Sequence, residues 1–105
     1  MHMDALNFVR SGLKSRIDVL ATRPAGVSLS HMCEQIDTIR LDAQRYGLEP
    51  LERLASTLGG ALALHGVEPV IHSYLDLMRD AVDCEENGPE ASQAYLAALS
   101  LRVGH

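Results

Sequence analysis

From Leu29 to Tyr46 the side chains Leu29, Met32, Ile36, Ile39, Ala43 and Tyr46 recur at alternating intervals of three and four, and the run ends at Gly47 with Pro50 three residues on. Such a heptad seam holds one face of an α-helix apolar over more than two repeats. Gly47 suits the left-handed C′ position that closes a helix. Pro50 suits the first turn of the next, where a missing N–H leaves no intrahelical bond unmade. A segment written this way is expected to fold as a tight helical hairpin.

Similar punctuation recurs on either side. A first helix is expected to begin after Asp4 as N-cap and to run to about Ala21, with Leu6, Val9, Leu13, Ile17 and Leu20 on one stripe. Pro24 and Gly26 then turn the chain. Helix two is expected from Ser28 to Tyr46. Helix three, over 49–65, carries Leu51, Leu54, Ala55, Leu58, Leu62 and His65. Gly59 and Gly60 sit inside it at about 1 kcal/mol each relative to Ala, so a weak helix or close backbone packing is expected there. Gly66 ends it and Pro69 opens helix four, which is expected to reach about Glu86 with Ile71, Tyr74, Leu75, Met78, Ala81 and Val82 inward. The stretch from Glu85 to Pro89 opens a short fifth helix with the small-residue stripe Ala91, Ala94, Tyr95, Ala98 and Leu101.

Short connections make successive helices antiparallel. The expected fold is therefore all-α: an antiparallel up-down four-helix bundle of helices two to five, with an additional N-terminal helix packed across it or one end. At 105 residues the chain makes one domain, 1–105. Aromatic residues are only 4% and Trp is absent, so the core must be aliphatic.

Charge and residue spacing exclude several function classes. The net charge is −5 and no window clusters Lys and Arg, so the cationic footprint that a phosphate backbone demands is missing and nucleic acid is not an expected partner. No basic stretch leads into an apolar one at the N-terminus, and apolar runs are broken well short of a membrane span, so a soluble cytoplasmic protein is expected. Cys33 and Cys84 stand far apart without a Cys-x-x-Cys neighbour and read as small helix-packing residues. His72 and Asp76 form an (i, i+4) pair without the third ligand zinc requires. The acidic set Asp80, Asp83, Glu85, Glu86 and Glu90 lacks calcium-loop spacing, so no metal and no cofactor is expected. No phosphate-cradling Gly loop, Gly-x-Ser-x-Gly or Cys–His arrangement suggests an enzyme.

Residues 36–58 resemble the core of the histidine-phosphotransfer (HPt) family. That pattern runs Ala-His-x-Leu/Ile-Lys-Gly-x-Ala, then a Gly after a short spacer, then x-x-x-Leu-x-x-Leu-Ala-x-x-Leu. Asp37 stands at the His, Ile39 at the aliphatic, Arg40 at the Lys and Leu41 at the Gly, while Ala43, Gly47, Leu51, Leu54, Ala55 and Leu58 stand where the pattern asks. The resemblance implies a helical bundle whose phospho-accepting position, facing water from the middle of a helix, has lost its imidazole. Leu41 also fills the space that the family's Gly leaves for an approaching receiver domain. At 100° per residue Glu34, Asp37, Leu41 and Gln44 form a strip beside the buried seam, and Arg40 can pair with Asp37 at (i, i+3).

The function the resemblance implies is non-enzymatic: a pseudo-HPt protein that docks a response-regulator receiver domain or a sensor histidine kinase through Glu34, Asp37, Arg40, Leu41 and Gln44 without carrying phosphate. Two alternatives stand beside it. One is phosphotransfer through a shifted histidine. His31, His65 and His72 have Glu34, Glu68 and Leu75 three residues on rather than a cation, and His72 is the best candidate of the three. His65 suits a helix C-terminus, His31 a surface first turn, and His2 and His105 the disordered ends of a chain. The other is a structural module in which helix one or the Ala-rich helix five pairs with its copy in a homodimer.

Overall fold

The heptad seam becomes helix α2 (Leu29–Arg45) in the computed structural model, which describes residues 2–22, 28–65, 71–86 and 88–102 and, except at 2–4 and 65, their side chains. Ser28 is the N-cap: its backbone is extended and its hydroxyl accepts from the His31 N–H at 3.1 Å. At the other end Gly47 takes φ +72°. The Leu48 N–H donates to the Ala43 carbonyl at 2.8 Å and the Gly47 N–H to the Gln44 carbonyl at 3.3 Å, the bond pair of a Schellman cap. Leu48 and Ala43 are both buried beneath it, and α3 (Glu49–His65) starts at the next residue. The hairpin expected from Gly47 and Pro50 is thus present.

Among the described residues three further helices follow: α1 (His2–Ala21), α4 (Ile71–Val82) and α5 (Pro89–Arg102). Cross-helix pairs fix their directions. Lys14 meets Asp83 and Asp18 meets Arg79, each at 2.8 Å, so α1 and α4 are antiparallel. Asp76 meets Arg102 and Asp80 meets Tyr95, each at 2.7 Å, so α4 and α5 are antiparallel as well. The Ser92 hydroxyl donates to Glu49 at 2.9 Å and brings the starts of α3 and α5 together. α3 packs against α2, α4 and α5. The described residues thus form an all-α antiparallel bundle with one helix more than four, and no strand occurs among them. α1 does not cross the bundle or an end of it; it lies alongside α4, with Leu13, Ile17 and Leu20 entering the common core over about two turns.

That core is aliphatic, as the composition requires. Met32, Ile36, Ile39, Leu51, Leu54, Leu58, Ile71, Leu75 and Met78 are at most 1% exposed, and each such side chain contributes about 1.5–3 kcal/mol by leaving water. Several expectations need correction. The seam of α2 buries only its centre, and Leu29 and Tyr46 at its ends are exposed. Residues 2–4 are already helical, so Asp4 is not the N-cap; nothing in His2 or Met3 breaks a helix. α4 stops at Val82 rather than near Glu86. Asp83, Glu85 and Glu86 would crowd the negative end of its dipole, and the chain tightens there through Asp83 N–H to Asp80 O and Cys84 N–H to Ala81 O bonds. Cys84 is consequently not a helix residue, and its thiol donates to the Glu86 carbonyl at 3.2 Å. On α5 Tyr95 and Ala98 of the expected stripe pack against the core beside the buried Ser92 and Leu99, while Ala94 and Leu101 are exposed. The turns expected at Pro24–Gly26 and Gly66–Pro69, the side-chain role of His65, and His105 lie outside the described residues.

Candidate functional site

The core-facing residues of α2 leave Glu34, Asp37, Leu41 and Gln44 on its outer side, all exposed. The Asp37 side chain is 58% exposed, so its carboxylate keeps its hydration. Arg40, half-buried, donates from Nη2 at 2.8 Å and from Nε at 3.1 Å to the same Asp37 oxygen. An exposed pair of this kind is worth about 0.2–0.5 kcal/mol, so it orients the two side chains more than it stabilises the helix. Leu41, one turn beyond Asp37, is 45% exposed. The five residues singled out in the sequence therefore share one face of one helix.

The structure adds a second wall that the sequence reading missed. An open groove of about 390 Å³ runs between α2 and α3 beside the Asp37–Arg40 pair, with Ile36, Ala55, Gly59, Gly60 and Ala63 among its lining residues. The glycine pair is neither a helix break nor a point of backbone contact. α3 is continuous through it, and a Cβ added at either residue would meet nothing within 4 Å. Absence of side chains there keeps the groove open. The signal was visible as two costly glycines in a helix, but only the neighbouring helix shows what the space adjoins.

His72 is exposed in the first turn of α4 and lines a different cleft, of about 420 Å³, between α1, α4 and the end of α5. Arg79 and Arg102 line the same cleft, each paired with an aspartate: Arg79 with Asp18 and Arg102 with Asp76. A local sequence window could not find these cations, because one is two turns away and the other is on another helix. His31 is exposed in the first turn of α2, as expected.

Among the described residues, no three His, Cys, Asp or Glu side chains are grouped to hold a metal ion, and no helix is long and apolar enough to cross a membrane. Chemically the α2 face offers a hydrated carboxylate, a neighbouring guanidinium and an exposed branched apolar side chain. Compared with protein-family models, with curated proteins and with solved structures, the chain matches none.

Proposed function

We propose that this chain is a pseudo-HPt protein of two-component signalling in the cytoplasm, which docks a receiver domain or a sensor histidine kinase on the outer face of α2 and carries no phosphate there. One observation carries the reading: the residue aligned with the phospho-accepting histidine is a carboxylate that stands in water at mid-helix, with Arg40 bound to it and Leu41 exposed one turn on. A hydrated carboxylate lacks the nitrogen nucleophile that receives phosphate from a receiver's acyl phosphate, yet the face around it remains accessible. Leu41, flanked by polar side chains, is the apolar anchor of the docking face, and aliphatic truncations at such anchors cost affinity when they sit near the centre of an interface.

The test is a binding titration of a phosphorylatable receiver against the chain and its Leu41→Asp variant. Binding by the parent, about tenfold weaker in the variant, with no acid-labile phosphate on the chain, supports the reading. Equal affinity of parent and variant removes this face from it.

The cleft at His72 favours one second reading, in which that imidazole accepts phosphate and Arg79 and Arg102 counter its charge. Asp18 and Asp76 already occupy these guanidinium groups, which weighs against it. Acid-labile label that disappears in His72→Gln would establish the second reading in place of the first.

A further inference from the structure

α1 carries two heptad stripes, and among the described residues only one of them is buried. Leu13, Ile17 and Leu20 point into the bundle. On the opposite side, Ala5, Phe8, Gly12, Ser15, Val19 and Thr22 recur at intervals of three and four, and all are exposed. None is charged, in a chain of which 22% of residues are charged. Phe8 is 71% exposed and Val19 67%. A surface helix ordinarily turns charged residues to this side, so the face is unpartnered rather than solvated.

We propose that this face is the seam of an antiparallel homodimer, in which Phe8 of each copy packs on Val19 of the second copy and into the groove beside it. The register is the first argument. A two-fold interface requires that if one position meets another, the second also meets the first. About an axis between Gly12 and Ser15, the stripe maps onto itself reversed: Ala5 faces Thr22, Phe8 faces Val19 and Gly12 faces Ser15. The small pair at the centre lets the backbones approach, and the large aromatic is set against a smaller aliphatic rather than against its own copy.

The second argument is a receptor for the aromatic ring. Between α1 and α2 lies a groove of about 190 Å³, lined by Ser15, Arg16, Val19, Leu20, His31 and Gln35, most of whose exposed lining is apolar. It lies at the level of Val19, where the two-fold axis delivers Phe8 of the second copy. The third argument is charge. In a two-fold antiparallel pair each flank of the helix meets the same flank of its copy, so unpaired flanking charges would repel. Here Arg16 is neutralised by Asp42 at 2.6 Å and Asp18 by Arg79 at 2.8 Å, both within one chain.

The seam is one helical stripe about 26 Å long, at the small end of specific interfaces, so association is concentration-dependent rather than obligate. Because each copy carries a net charge of −5, added salt tightens the dimer by screening, the opposite of an interface held by ion pairs.

Sedimentation velocity from micromolar to millimolar chain, at low and moderate salt, tests the assignment. The expected result is a monomer–dimer equilibrium that tightens with salt. Phe8→Glu and Val19→Lys should each weaken it on the order of a hundredfold, since every change enters the seam twice. Leu101→Glu, equally exposed but on α5, should leave it unchanged. Helical circular dichroism of the α1 variants should match the parent, because neither side chain is in the core. In a Cys33→Ser, Cys84→Ser background, Gly12→Cys combined with Ser15→Cys should oxidise to a covalent dimer. A parent chain that stays monomeric throughout, a dimer that survives Phe8→Glu, or loss of dimer in Leu101→Glu overturns the proposal.

Discussion

Arg40 reaches back one turn of α2 and grips a single oxygen of Asp37 with two of its guanidinium nitrogens, at 2.8 and 3.1 Å. On the proposed HPt register the cation lies beside the position of that family's imidazole, where it would serve to counter a phosphoryl group. The double variant Asp37→His, Leu41→Gly is accordingly expected to gain acid-labile phosphate when incubated with a phosphorylated receiver, whereas the parent gains none at this position. Both changes are at exposed positions, and the cost in stability is expected to stay near the 1 kcal/mol of a helical Gly. A double variant that folds, binds the receiver and still takes no label would show that α2 is not in register with the HPt scaffold.

Glycine has opposite meanings at two places in the hairpin. At Gly47 the backbone is left-handed, φ +72°, and an L side chain there costs about 1–2 kcal/mol. At Gly59 and Gly60 the backbone is helical and an added Cβ meets open space. Gly47→Ala is thus expected to lower the urea-unfolding free energy by about 1 kcal/mol or more, and Gly60→Ala to raise it by up to about 1 kcal/mol. Destabilisation by Gly60→Ala would mean that the α2–α3 groove is closed in solution.

What could be read from the chain, and what could not, follows the range of the forces involved. The hairpin was legible because its determinants are local: a seam from Met32 to Ala43, a left-handed Gly47, and a Pro50 that suits a first turn. The limits of burial were not. Leu29 and Tyr46 continue the pattern of α2 but are exposed, and periodicity alone carries no information on which of its positions a partner covers. The exposed strip from Glu34 to Gln44 could be derived from helical geometry alone, whereas the Gly59–Gly60 wall beside it depends on how α3 docks. The inner stripe of α1 was plain in the sequence, but a second stripe through Phe8 and Val19 becomes meaningful only once the structure leaves both side chains exposed. On α5, small residues lie on every side, so the stripe drawn through Ala91, Ala94, Tyr95, Ala98 and Leu101 found Tyr95 and Ala98 but missed the buried Ser92 and Leu99.

Ser92 is fully buried and donates to Glu49 at 2.9 Å across the α3–α5 contact. Ser92→Ala removes the donor, leaves a partly buried carboxylate without that partner, and opens a small void. A loss of about 1–3 kcal/mol is expected in chemical unfolding, with amide exchange in α5 accelerated first. Glu49→Gln retains an acceptor oxygen and is expected to cost less. If Ser92→Ala leaves stability unchanged, α5 is not fixed by this bond.

Two phenols should make the fold sensitive to alkali. Burial raises the Tyr74 pKa, and burial followed by the hydrogen bond and charge of Asp80 raises that of Tyr95, whose hydroxyl donates to Asp80 at 2.7 Å. In the unfolded chain both titrate near the ordinary value of about 10. The folded form then retains protons that the unfolded chain releases. Their contribution is therefore fully present below pH of about 10 and is lost as pH rises above it toward the folded-state values. Urea midpoints are expected to be insensitive to these two groups near neutrality and to fall through the alkaline range, with tyrosinate absorbance appearing alongside unfolding. Tyr95→Phe should lower neutral stability by about 0.5–1.5 kcal/mol through the lost hydrogen bond, and it should also flatten the alkaline decline by removing one of the two groups. An unchanged alkaline slope in Tyr95→Phe would show that the Asp80 contact does not persist in solution.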